Sequence, residues 1–462
     1  MKKIGADKMG TMPVNKLLLS MSLPMMISMM IQALYNVVDS IFVAKISEDA
    51  LTAVSMAFSL QMLIVASATG IGVGINALIS RSLGEKNKHM ANITAGNGII
   101  LALIAYVIIA VVGIFCVKPF YVFQTGDVNS PITQYGIIYL TCVMVCSFGA
   151  YTQMTFERLL IATGRTVCST ITQTTGAVVN LIFDPILIFG LFGAPEMGIL
   201  GAAVATVMGQ CVAGVMAIIF NVKLNHDIEL KLKNFKPNSG VIKSILAIGI
   251  PTMIMQAIGS VMNFTFNKIL IWFSSTAVAV FGVYFKLNSM VFMPIFGLNN
   301  GMVPIISYNY GAKNRKRMMK AVKYSVIYAM ILMLTGLVLI EVFPKQLLMM
   351  FSASEGMLQI GIPALRIICL SFTFAGCAIV LSSLFQALGH AVYSMMISLI
   401  RQVFVLLPSA FLLALLGKHM GNDVSYIWWS FNIAEIASIA TSLVLFGRLY
   451  RKTISKIPDG DE

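Results

Sequence analysis

SLPMMISMMIQALYNVVDSIFV, residues 22–43, opens a stretch that runs to GEKNKHM at residues 84–90, and the chain uses this stretch twice. Pro24 and Pro251 lie 227 residues apart, so GIPTM at Gly249 falls under SLPMM and GAKNRKR at Gly311 under the basic run. The same offset carries Asn36 onto Asn263, Gly74 onto Gly301, Gly84 onto Gly311 and Asn87 onto Asn314 without a gap. Glycine and proline fix backbone geometry rather than surface chemistry, so their coincidence marks a repeated backbone. Further on, an offset of 225 pairs Gln134, Gly136 and Gly164 with Gln359, Gly361 and Gly389. The chain reads as two homologous halves.

Of the 462 residues, 58% are hydrophobic and only 11% charged, against about 25% charged in a soluble domain. Apolar runs of about 20 residues, each long enough to cross a bilayer as a helix, recur from end to end. The expected fold is an all-α polytopic membrane protein. Twelve spans are expected at 17–44, 52–80, 92–117, 132–157, 167–191, 198–222, 244–271, 276–306, 320–343, 359–385, 391–416 and 425–449. Residues 1–16 then form an N-terminal tail, 17–222 and 244–449 two six-helix lobes, 223–243 a linker and 450–462 a C-terminal tail. Six spans is an even number, so both halves start on the same side and the repeat is parallel. Two such bundles enclose a central cleft suited to alternating access.

The net charge of +14 is not spread as a nucleic-acid binder would spread it. Most of the 32 Lys and Arg residues lie at the two ends or in alternate loops, among them Arg81, Lys86, Lys88, Arg158, Arg165 and the run Lys313–Lys323. That asymmetry places both termini in the cytoplasm. The polar start, MKKIGADKMGTMPVNK, lacks the features of a cleaved signal. The seven cysteines read as small buried hydrophobes. His89, His226, His390 and His419 are scattered, and Gly70, Gly72 and Gly74 lack the GK[ST] of a phosphate loop, so no catalytic or metal constellation is expected.

Charged residues inside apolar spans carry the functional signal, because each costs about 2.5–3.5 kcal/mol at a helix centre on insertion scales. Asp39 shares a helical face with Asn36 and Gln32. Phe266 stands at the repeat-equivalent position, so carboxylate chemistry belongs to the first half. Asn180 lies four residues before Asp184, on the same face, and Pro185 is expected to loosen the helix there and free carbonyl oxygens. The pair reads either as a site for a hard monovalent cation or a proton, or as hydrogen-bonded helix glue. Glu157, beside Arg158, reads as an interfacial charge. Glu435 reads as a membrane-embedded acid, with Trp428 and Trp429 as an interfacial belt. Lys286, Arg366 and Arg401 are cations in apolar segments that snorkel, pair with Glu435 or face anionic groups. Pro24 and Pro251 are gating candidates, as repeat-equivalent helix interruptions, and Pro294 is a third interior proline. The 32 methionines suit a cleft with varied apolar ligands, or simple gap filling.

SLPMM at Ser22, YNVVDSIFVAKI from Tyr35, ISRSLGEKN from Ile79, ATGRT from Ala162, NLIFDPILIFG from Asn180, GILGAAVATVMGQ from Gly198 and VPIISYNYGAKN from Val303 follow in order. In this respect the chain resembles the multidrug and toxic compound extrusion (MATE) family, in its bacterial branch, over nearly all of residues 13–450. The resemblance implies a V-shaped, two-lobed antiporter of the cytoplasmic membrane. Such a protein exports amphipathic or cationic compounds against protons or sodium, without a cofactor and as a functional monomer in contact with lipid. It also implies an ion-coupling site at Asp39, Asn180, Asp184 and Thr206, which would hold a proton or sodium, with Asn36 and Gln210 in support. No acid near Phe266 matches the sodium site known in another branch, which favours coupling in the N-terminal lobe. The alternative within the superfamily is a flippase for lipid-linked oligosaccharide or polysaccharide, whose phosphate Lys286, Arg366 and Arg401 would contact.

Overall fold

The computed structural model describes residues 5–231, 235–351, 353–421 and 423–460, the side chains of Asn36 and Val37 excepted. Asn36 as a site residue thus lies outside the described residues.

With no water in the hydrocarbon core to satisfy backbone groups, apolar segments of this length close their hydrogen bonds internally, as helices. A short helix α1 (Lys8–Thr11) precedes six spans: α2 (Val14–Ala44), α3 (Glu48–Gly84), α4 (Lys88–Thr125), the pair α5 (Pro131–Val145) and α6 (Phe148–Ala162), α7 (Thr166–Phe189) and α8 (Ile199–Leu224). The second half repeats the plan. It comprises α9 (Ser239–Leu270), α10 (Ser275–Gly311), α11 (Arg315–Val342), a short α12 (Pro344–Met349), the pair α13 (Glu355–Cys369) and α14 (Phe372–Ala387), α15–α16 (Ala391–His419) and α17 (Ser425–Lys452). Among the described residues, ten helices are long and apolar enough to span, and with each bent pair taken as one span there are twelve.

The fourth and tenth spans are not the single segments expected. They bend by 43° and 50° at Cys146–Ser147 and Leu370–Ser371. At both breaks a serine hydroxyl donates to a carbonyl three residues back: Ser147 to Met144 at 2.8 Å, Ser371 to Ile368 at 2.7 Å. This local bonding competes with the helical ladder. Between α15 and α16 the eleventh span widens into a π-helical stretch, Ile400–Leu406. Pro408 lacks the N–H a regular helix would use there, and the wider winding absorbs the gap. Pro185 does not break α7, which continues to the left-handed Gly190 (φ +68°). Pro24, Pro251 and Pro294 likewise sit inside continuous helices.

The repeat reaches into the turns. Ser47 and Ser274 cap α3 and α10 by accepting from Ala50 and Ala277 N–H. Asn87 and Asn314 cap α4 and α11 by accepting from Met90 and Arg317 N–H. Before those caps, Lys86 (φ 58°) and Lys313 (φ 55°) take the left-handed conformation at equivalent places.

The halves meet where α3 packs on α9 and α2 on α10. The contact is backbone to backbone. A Cβ at Gly84 would lie 2.0 Å from the Tyr308 carbonyl oxygen, and one at Gly311 2.1 Å from that of Arg81. Tyr308 is the repeat equivalent of Arg81, so the two contacts are related by the pseudo-two-fold axis. Gly70 and Gly249 touch in the same way, as do Gly301 with Ser22 and Gly297 with Met26. Arg158 Nη1 adds a bridge to Asn300 Oδ1 at 2.8 Å. These approaches run from the turns at 85–87 and 312–314 to the middle of the helices.

Candidate ion-coupling site

Asn180 and Asp184 occupy successive turns of α7, and Thr206 faces them from α8. Glycines permit that closeness: a Cβ at Gly209 would lie 2.6 Å from the Gly176 carbonyl oxygen, and one at Gly201 2.5 Å from that of Leu187. Such small residues let membrane helices approach to backbone contact. In the amide orientation that satisfies both its ends, Asn180 donates to Asp184 Oδ2 at 3.2 Å and accepts from Thr206 N–H at 3.1 Å. The Thr206 hydroxyl donates to the Ala202 carbonyl at 3.0 Å. Asp184 is fully buried.

Asp39 comes from α2, and its carboxyl lies within hydrogen-bond reach of that of Asp184. Its Oδ1 is buried with no hydrogen-bond partner. Tyr35, one turn earlier on α2, and Tyr139 on α5 lie near enough to feel the charge of both acids. Gln61 on α3 donates to the Tyr139 hydroxyl at 3.2 Å. Asp39, Asn180, Asp184 and Thr206 are thus brought together. Tyr35, Tyr139 and Gln61 were not singled out from the sequence. Tyr35 carries the one usable signal, its spacing of four residues from Asp39; Tyr139 has none.

Gln210, one turn beyond Thr206, has a buried Oε1 without a partner. Gln32 sits lower on α2, where it accepts from Gln173 at 3.1 Å; Gln173 also pairs with Ser28. Glu157 is buried rather than exposed. It is 7% exposed and accepts from Gln153 at 3.1 Å and Thr172 at 2.9 Å.

Where the first half has Asp39 and Thr206, the second has Phe266 and Phe431. Phe266 packs against Phe281 at 4.8 Å, Phe431 at 5.1 Å and Trp428 at 6.2 Å between ring centroids. Trp428 is therefore fully buried rather than part of an interfacial belt, while Trp429 is exposed. The cations do not converge. Lys286 lies over the Phe351 ring at 5.7 Å, Arg366 is 3.8 Å from Glu341, and Arg401 is 3.4 Å from the buried Glu435.

Carboxyl, amide and hydroxyl oxygens gathered in a low-dielectric interior suit a proton or a hard cation. Two ionised carboxylates close together in this interior would repel, and protonation of one of them or a bound cation would relieve the pair.

A family model described as MatE matches residues 24–186 and again 251–412, once in each half. The chain belongs to the MatE family. The starts of the two MatE matches, 24 and 251, stand at the same offset as the paired prolines. A MatE relative of similar length is the "Multidrug export protein MepA" of Staphylococcus haemolyticus, 26% identical over 455 residues and covering 96% of each chain. Another is the "FAD transporter" of Shewanella oneidensis, 26% identical over 423 residues, covering 88% of this chain and 89% of that one. A solved multidrug resistance MATE family transporter of the MOP superfamily, in an outward-facing conformation, superposes with a TM-score of 0.89. It is 24% identical and covers 99% of each chain, which supports the MatE fold.

Proposed function

We propose that this multi-pass membrane protein is a secondary active antiporter that exports amphipathic or cationic compounds in exchange for protons or sodium. The observation that carries the reading is the Asp39–Asp184 carboxyl pair, held by Asn180 and Thr206 within the N-terminal half, beside lobes joined at their basic ends. The printed functions of the MepA relatives support the substrate class.

In this reading the basic end is cytoplasmic, as are both termini, and the contacts there close the inward path. An ion entering from outside lands between Asp39 and Asp184 and removes their mutual repulsion. α2, in which Pro24 removes one backbone donor from a continuous helix, then repacks, and Pro251 takes the matching place in α9. The carrier turns inward, releases the ion and accepts cargo. Exchange requires ion and cargo to favour different states or to exclude one another. The flippase alternative needs Lys286, Arg366 and Arg401 to line one surface; each instead has a separate neighbour.

The test is uptake of a fluorescent cationic dye into inside-out proteoliposomes, with proton and sodium gradients imposed separately. Uptake driven by one gradient and lost in Asp39→Asn and Asp184→Asn names the ion and the site. Full ion-driven uptake in Asp184→Asn would remove the site, and no gradient-driven dye movement in folded protein would remove the efflux reading.

A further inference from the structure

The segment before the first span is not a free tail. Ala6 and Met9 are buried in the same apolar cluster as Ile79, Leu83, Leu159, Ala162 and Tyr308, which belong to both halves. Met9 is fully enclosed at the basic end.

Two sets of hydrogen bonds and one close packing contact surround it. To the second half, the Met9 carbonyl accepts from Asn309 Nδ2 at 3.1 Å and Arg317 Nη2 at 3.3 Å, and the Met12 carbonyl accepts from Arg317 Nη2 at 2.6 Å. Toward the first half, Lys8 lies over left-handed Gly164 (φ +78°), whose missing side chain leaves the room it occupies. Burial, and then the Arg165 guanidinium, push the Lys8 ammonium below the usual lysine range. To the linker, Ala6 N–H donates to Asp227 Oδ2 at 3.3 Å, the oxygen that also receives Arg165 Nη2 at 3.2 Å. Gly10 closes the arrangement against the Tyr308 ring, with room for no Cβ beyond a tight 3.1 Å.

We propose that residues 5–12 are a latch that holds the basic-end gate shut and must let go before the transporter can open on that side. The argument is geometric. A segment bonded to α10 and α11 on one side, and on the other packed over the loop after α6 and tied to it through Asp227, cannot keep both sets of contacts once the halves separate there. Asn309 and Arg317 mark its C-terminal-half socket, and Asp227 ties its start to the linker. The proposal rests on the alternating-access reading above, and it assigns a role to a segment that the ion site does not touch.

The test uses full-length protein in lipid nanodiscs, with spin labels at the exposed, repeat-equivalent positions His89→Cys and Lys316→Cys in a background whose native cysteines are replaced. Double electron–electron resonance reads the distance between the basic ends. With residues 2–12 deleted, the long-distance, inward-open population is expected to rise about tenfold, the effect of losing one well-made hydrogen bond or more. Met9→Asp, which keeps the segment but makes burial of its anchor costly, is expected to act in the same direction. Unchanged distances in either variant, when its thermal melt shows a folded protein, would overturn the latch. Dye uptake by the unmodified protein is measured alongside. Its absence would count against the antiport reading, whereas intact uptake with unchanged distances would count against the latch alone.

Discussion

Asp39 and Phe266 occupy one place in two copies of the same backbone, and with Thr206 and Phe431 they separate a buried carboxyl cluster from an apolar core. Asp184→Asn keeps the size and hydrogen bonding of the side chain but removes the charge. It is expected to lower gradient-driven dye uptake at least tenfold with little loss of thermal stability, checked by transport assay and melting of the same preparation. Arg401 and Glu435 call for a different pair of variants. Arg401→Ala leaves a buried carboxylate without its counter-charge and is expected to cost about 3 kcal/mol. Glu435→Gln, which leaves only the partly exposed Arg401, is expected to cost less; thermal unfolding of the two variants decides. A chain in which the Arg401 variant melts no lower than the Glu435 variant would not be using this pair structurally. At this scale the sequence was informative where spacing placed groups on one helical face, as with Asn180 and Asp184. It was silent where partners come from distant helices. Nothing in the residues around Tyr139 points to Asp39, and nothing around Glu157 shows that Thr172 of α7 closes over it.

The helices themselves were largely legible, because span length and hydropathy are set by the thickness of the membrane. What hydropathy does not report is a break in direction. Cys146–Ser147 and Leu370–Ser371 are as apolar on average as their surroundings, so each bent pair read as one straight segment. The π stretch at Ile400–Leu406 was hidden for the same reason, although Pro408 in hindsight marks its end. Conversely, Pro185 was expected to disturb its helix and does not. Neighbouring helices hold α7 closely enough to absorb the missing donor. The turns offer an element-level test. Asn87→Ala and Asn314→Ala each remove a side-chain acceptor from a helix start, and each is expected to cost about 1 kcal/mol. Since α4 and α11 begin at equivalent points, equal drops in melting temperature are expected from the two. A cost confined to one would show that the second copy of the turn is held by other contacts, such as the link of Arg315 to Asp459.

For the molecule as a whole, the glycine contacts between halves act as a spacer of nearly zero thickness. Gly84→Val or Gly311→Val would push the basic ends apart by inserting a side chain where the next backbone already lies. Both are expected to shift the spin-label distances described above toward the inward-open range and to lower the melting temperature. Asn300→Ala, which removes only the bridge from Arg158, is expected to produce a smaller shift of the same sign. The antiport proposed above, with its carboxyl pair confined to one half, carries a consequence for how transport is powered. On that reading, a cycle that trades one proton for one singly charged cargo moves no net charge. Membrane potential, worth about 2.3 kcal/mol per elementary charge at 100 mV, then does no work on the exchange, and the pH difference alone drives it. A neutral cargo on the same cycle would draw on both, so the concentration gradient this carrier can sustain depends on the charge of what it carries.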